Sequence, residues 1–341
     1  MILHRRVNRF SEQIEQALVE LGIPGGQSAA PIVARRLSRS KLRSLLAIIE
    51  GKSLQEAAAN LGLSEASLQR AAHELERNLQ KQLYYRSADG MMVTQPGMEF
   101  GRKVKLATQE IEWGITEIEV ALGRVNSKIV VGAMPFGGNV LLASVLDEFI
   151  TAYPRVDVRI VNEDSPAMLR SLRNGAVDFV IGLLLKDISG DLESEALART
   201  PYVIAGRRGH RLLKRGKITI EDLLSYSWVV GTPSSSRRAC FDKLFEQFPG
   251  PRAPVVTSSI PVIRDLLARS DRLTLMTTYE LRHEASALVE IPFQPIEPVP
   301  AIGITMRSNW RPTQLHADFI ALLRNRVAEL SKTPLMPKLA S

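Results

Sequence analysis

The stretch SLQEAAANLGLSEASLQRAAHELERNLQ, Ser53 to Gln80, reads as two short helices joined by a tight turn. Ser53 is placed to cap the first, because a hydroxyl can accept from an otherwise orphaned backbone N–H two or three residues on. Leu54, Ala57, Ala58 and Leu61 keep helical spacing and give that helix one small apolar face. Gly62 suits the left-handed conformation that ends many helices, having no Cβ to clash. Ser64 can cap again, and Ser67-Leu68, Ala71-Ala72, Leu75 and Leu79 carry the second stripe. Small residues let two helices cross closely at a steep angle, which a helix-turn-helix needs.

That geometry leaves Ser64, Glu65, Ala66, Ser67, Gln69, Arg70 and His73 at the start and outer face of the second helix. Short or polar groups there can meet base edges in a major groove, Arg favouring guanine and Gln adenine. The plainer alternative is a helical hairpin whose polar residues form a solvated face. Upstream, Leu42, Leu45, Leu46, Ile48 and Ile49 form a helix that would complete a three-helix core. Downstream, LYYRSADGMMVTQPG (Leu83 to Gly97) sets Asp89-Gly90 between short apolar runs, a strong hairpin signal. This is a wing whose Arg86 can meet phosphate. Arg39 and Lys41, from a local basic cluster, are expected near phosphate as well.

Residues Leu42 to Leu122 resemble the LysR-type transcriptional regulators. The resemblance is carried by Ala57-Ala58, Leu61, Ser64, Leu68, Arg70, Leu75-Glu76, Leu83, Arg86, Thr94 and Gly97. The sequence departs at Glu65 and Ala66, where the family usually has Gln-Pro, and at Gln69 and Gln80, where it usually has Ser and Gly. Glu65 would favour a cytosine amino group over adenine.

The bulk properties agree without deciding the matter. A net charge of +8 over 341 residues fits an anionic partner, but the charge is not concentrated in the DNA-binding half. No apolar run is long enough to span a bilayer, and no apolar signal core follows Arg5 and Arg6, so a cytoplasmic protein is expected. One cysteine, Cys240, allows no intrachain disulfide, and five scattered histidines offer no metal-ligand spacing. No nucleophile-elbow pattern is present, so neither an enzyme nor a cofactor is expected. Cys240 reads as core, with a thiol switch as the lesser option, and His210 reads as a turn residue.

The expected fold class is multidomain, α followed by α/β. Residues 1–38 form a helical extension, with one helix over Ser11 to Leu21 and a second from Pro31, packed as an arm on the DNA-binding domain or its dimer partner. Residues 39–97 form the winged helix-turn-helix. Residues 98–126 form a dimerising linker helix, because Phe100, Val104, Ala107, Ile111, Ile115, Ile118, Leu122 and Val125 recur at alternating three- and four-residue steps. Trp113 lies off that seam. From Ser127 strands and helices alternate, which implies a parallel sheet covered on both faces. Residues 127–330 resemble the two-lobed, Rossmann-like LysR-type effector domain, itself similar to type 2 periplasmic binding proteins. Gly132, the Phe149/Tyr153-Pro154 step, Leu172, Gly175, Asp178, Gly206 with His210, and Asp222-Leu223 carry that resemblance. The family implies one lobe over about 127–190 and 300–330, a second over about 200–288, crossing strands between them, and a tetramer built as a dimer of dimers. Residues 331–341 are a tail.

Ligands of open α/β sheets gather at the carboxyl ends of strands, where helix N-termini point. Three loops answer to that description: Met134-Pro135-Phe136-Gly137-Gly138, Asp164-Ser165-Pro166, and the run from Gly231 to Arg238. The last holds Thr232, Ser234, Ser235 and Arg237; its hydroxyls are equally explained as helix caps. Thr277 follows another strand. Arg237 and Arg238 could fork a carboxylate or phosphate, so the expected effector is a small anion. Two rivals of other classes are a solute-binding protein of transport and an enzyme on the same two-lobed fold. The missing export signal and the missing catalytic constellation count against them in turn.

Overall fold

Ser53 and Ser64 cap as their hydroxyls allow, accepting from the N–H groups of Glu56 at 3.1 Å and Ser67 at 3.2 Å. The computed structural model describes residues 2–51, 53–87, 90–122, 127–134, 138–185 and 188–332. Contacts divide the chain into two units, Met1–Val125 and Asn126–Ser341.

The first unit runs α1 (Ile2–Leu21), α2 (Gly26–Arg36), α3 (Arg39–Glu50), α4 (Leu54–Leu61), α5 (Glu65–Leu79), β1 (Tyr84–Ser87), β2 (Gly90–Val93) and α6 (Gln95–Ala121). Gly62 closes α4 at φ +67°, where a side chain would be strained. Ala57, Ala58, Leu68, Ala72, Leu75 and Leu79 are buried with Leu42, Leu45 and Ile48 of α3 in one core. Strands β1 and β2 pair antiparallel from Tyr84↔Val93 to Ser87↔Gly90; Asp89 of the expected turn lies outside the described residues.

The extension differs from expectation in extent. Its first helix starts at Ile2 rather than Ser11, and its second at Gly26 rather than Pro31, because Gly25 at φ +80° makes the turn that launches it. Helix α1 runs antiparallel along α6. Arg6 Nη1 donates to Glu110 Oε2 at 2.7 Å, Arg6 Nε donates to Glu117 at 3.0 Å, and Lys103 pairs with Glu20. Gly114 lets the helices close, since a Cβ there would lie 3.1 Å from Arg6 Cβ. The expected linker seam is therefore divided. Phe100, Val104 and Ala107 are buried in this unit's own core, Ile111 and Ile118 are half-buried, and Ile115 and Leu122 are exposed. Val125 lies outside the described residues. Trp113 packs under the Arg6 guanidinium, 5.8 Å from its ring centre.

The second unit contains β3 (Ser127–Ala133), α7 (Gly138–Ala152), β4 (Val156–Asn162), α8 (Ser165–Arg173), β5 (Phe179–Leu183), β6 (Leu192–Arg199), β7 (Tyr202–Arg207), α9 (Ile220–Leu224), β8 (Val229–Val230), α10 (Ser236–Leu244), β9 (Val255–Val256), α11 (Ile260–Ala268), β10 (Thr274–Thr277), α12 (Thr278–His283), β11 (Leu288–Ile291), β12 (Ala301–Arg307) and α13 (Gln314–Lys332). One sheet has the order β4-β3-β5-β12-β6 and another β10-β7-β11, with β8 paired to β9. The expected parallel sheet is in fact mixed. Strand β3 is parallel to β4 and β5, but β12 is antiparallel to β5 and β6. Chain direction reverses at β12, which follows β11 of the other sheet and is not part of a strand-helix-strand crossover within this one. Asp178 fastens the first lobe, accepting from the Val130 N–H at 2.7 Å with His316 Nε2 3.2 Å away.

Candidate functional site

The outer face of α5 presents Ser64, Glu65, Ala66, Arg70 and His73 to solvent, with Ser67 and Gln69 half-buried. The first turn is held by its own hydroxyls. Ser64 Oγ donates to Ser67 Oγ at 2.9 Å, and Arg70 Nη2 donates to the same oxygen at 3.2 Å. Arg70 is thus propped, not buried. Arg86 is exposed on β1, and Arg39 is exposed at the start of α3. Lys41 is less free, because it is half-buried with Nζ 3.8 Å from Glu74.

Glu76 links these parts. Its Oε1 accepts from the N–H groups of Leu83 at 2.8 Å and Tyr84 at 2.9 Å, so α5 and the wing hold a fixed relation. Its Oε2 lies 3.3 Å from His73 Nδ1. In the sequence Glu76 stood out as a pattern residue; a carboxylate seven and eight residues before two backbone amides at the entry to β1 gives no local sign of that task.

The second unit holds a cavity of about 330 Å³, at the lower end of the usual ligand-pocket range of about 300–1,000 Å³. Its walls are the carboxyl ends of β3, β4, β5, β8 and β9 and the starts of α8 and α10. Met134, Ser165, Thr232, Ser234 and Ser235, expected from the sequence, line it together. Pro135, Phe136 and Gly137 lie outside the described residues. Asp164 and Ser236, from two of the expected loops, line it as well, while Asn162, Glu163 and Ser258 also line it and were not singled out. The strand-end rule that found Ser165 would have found Asn162 and Ser258, since each closes or follows a strand.

Arg237 and Thr277 do not reach this cavity, which corrects the expected set. The Arg237 guanidinium donates through Nη2 to both Glu280 oxygens and is 1% exposed. Thr277 is fully buried. It caps α12 reciprocally with Glu280, whose Oε2 accepts from Thr277 N at 2.8 Å. A charge taken from water needs such a partner, and Glu280 is too far along the chain from Arg237 for spacing to suggest it.

Cys240 is buried, and burial pushes its thiol up to about 11, far from the thiolate a redox switch needs. Among the described residues, no group of three His, Cys, Asp or Glu is arranged to hold a metal ion. No described helix is long and apolar enough to cross a membrane.

Residues 40–98 match the family model described as bacterial regulatory helix-turn-helix protein, lysR family, and residues 123–328 match the LysR substrate binding domain. The chain is 27% identical over 331 residues to the HTH-type transcriptional regulator GalR of Pseudomonas putida, covering 95% of this chain and 81% of that protein. It is 24% identical over 211 residues to the HTH-type transcriptional regulator GbpR of Rhizobium radiobacter, covering 60% and 69%. Its fold is similar to that of full-length OxyR from Pseudomonas aeruginosa, with a TM-score of 0.60 at 19% identity, over 85% of this chain and 94% of that one.

Proposed function

The chain belongs to the LysR family of bacterial transcriptional regulators, and on that premise we propose how its two units divide the task. It is a regulator with a helix-turn-helix DNA-binding domain and a substrate-binding domain for a small-molecule effector. Base edges are read by the first turns of α5, with Glu65, Arg70 and His73 foremost. Arg39 and Arg86 meet phosphate on either side. Residues 39–97 form this module, 98–126 the linker, and 127–330 the sensor. The half of the linker stripe left outside the unit's own core, Ile111 to Leu122, pairs with a second copy, and pairs assemble as a dimer of dimers in the cytoplasm. Effector in the cavity at the strand ends shifts operator affinity, because differential affinity for two arrangements moves an equilibrium.

The observation that carries the DNA reading is the fixed pairing of an exposed α5 with a wing through Glu76. It gives two groove-facing elements one rigid frame. The test is a binding titration of the full chain on duplexes selected from a random pool, repeated across salt concentrations. The expected result is a selected consensus bound more tightly than random duplex, with log affinity falling linearly against log salt. Equal affinity for selected and random duplex would refute it.

A further inference from the structure

The cavity's chemistry specifies what it takes. Among its described lining residues stand two carboxylates, one amide and six hydroxyls, and no cationic side chain. The nearest guanidiniums in sequence are engaged elsewhere: Arg237 with Glu280, and Arg238 with Asp242 at 2.7 Å. The start of α8 is already occupied by an anion. Asp164 Oδ1 accepts from Ala167 N at 2.9 Å, which offsets the partial positive charge of that helix end. At the start of α10 Ser235 takes one amide, accepting from Arg238 N at 3.2 Å, and it donates to Thr232 O at 2.7 Å. A carboxylate or phosphate entering here would meet Glu163 and Asp164 with no cationic side chain among the described lining residues to offset them. The anion expected from the sequence is disfavoured.

The same walls suit a different molecule. The hydroxyls of Ser165, Thr232, Ser234 and Ser258 make no hydrogen bond among the described residues, so each can both give and accept one. Glu163 and Asp164 accept without donating, and such charged acceptors form the stronger hydrogen bonds with hydroxyl donors. Met134, Leu183 and Leu185 supply an apolar wall. A ring or short chain with hydroxyls on its rim and C–H groups on one face satisfies all three.

We infer that the effector is a neutral polyhydroxylated molecule of monosaccharide size, or its amino derivative, and not an anion. This rests on the cavity being the effector site. Ser236 would couple it to the fold, since its hydroxyl is hydrogen-bonded to buried Tyr202 at 2.9 Å, at the start of β7.

The test uses the full chain and four probes at tens of millimolar: myo-inositol, a neutral aldohexose, the corresponding aldonate, and the corresponding 2-amino sugar. Thermal shift and calorimetric titration are run on wild type, on Ser258→Trp to fill the cavity, and on Glu163→Gln. The expected result is stabilisation by neutral or amino probes but not by the aldonate, abolished in Ser258→Trp. Glu163→Gln should weaken binding about tenfold to a hundredfold, the worth of a hydrogen bond to a charged group. An aldonate that binds as well as its parent sugar, and is lost in Ser258→Trp, overturns the class while leaving the cavity as the effector site. Stabilisation that survives unchanged in Ser258→Trp overturns both. Silence from all four probes also overturns the class.

Discussion

Arg237 and Glu280 form a two-point contact, one guanidinium nitrogen 2.9 and 3.0 Å from the two carboxylate oxygens, with both side chains 1% exposed. The pair joins the first turn of α10 to α12, and Thr277 completes it from the end of β10. An arginine beside the cavity is thereby a part of the second lobe's interior.

Removing one member of such a pair leaves the other charged and buried, at a cost of about 3–5 kcal/mol. Arg237→Ala should therefore lower the stability of the second unit by that order in urea unfolding. Unchanged stability with abolished effector binding would return Arg237 to the ligand.

Glu110 is 1% exposed in the middle of α6 and accepts from Arg6 at 2.7 Å and Arg9 at 3.2 Å. Arg6→Met leaves Arg9 as partial compensation, so the loss should sit near about 3 kcal/mol. It would be read as accelerated hydrogen exchange in α6 together with a lower urea midpoint. A variant with wild-type exchange in α6 would show that the extension does not brace the linker.

His210 supplies a pH dependence. It is fully buried; its Nδ1 accepts from Leu212 N at 3.2 Å, and its Nε2 lies 3.2 Å from the Asp271 carbonyl, so the neutral ring satisfies both. Burial pushes its pKa below the usual 6.5. A depressed folded value means that the unfolded chain binds the proton more readily. The stability is complete above about 6.5 and is lost as pH falls through the folded value. The melting temperature should fall from pH 7.5 to pH 5.5, and less so in His210→Gln, whose amide can both donate and accept. An equal fall in both proteins would remove His210 as the cause.

What was legible in the sequence was mostly local. Ser53 and Ser64 cap the helices they precede, and Gly62 takes the left-handed turn. Gln80, where the resembled family usually has glycine, still adopts φ +50° at the end of α5, so tertiary packing overrode residue preference there. What escaped was long-range. The buried charge of Glu110 finds Arg6 at the far end of the unit's sequence, and Arg237 finds Glu280 across the second lobe. Strand direction also escaped, because alternation of apolar residues reads the same along β12 whichever way it runs. The cavity was legible as a set of strand ends, whereas its charge balance was not, because that depends on which arginines are already paired.

The most direct test of DNA reading by α5 is Arg70→Ala, since Arg70 is exposed, propped by Ser67, and central on the outer face. Affinity for a duplex selected by the wild-type protein and for random duplex would be measured side by side at one salt concentration. A base-edge contact is worth about 1–3 kcal/mol of discrimination. The expected result is roughly a tenfold to hundredfold loss on the selected duplex with random binding unchanged. Equal loss on both duplexes, or none on either, would contradict it.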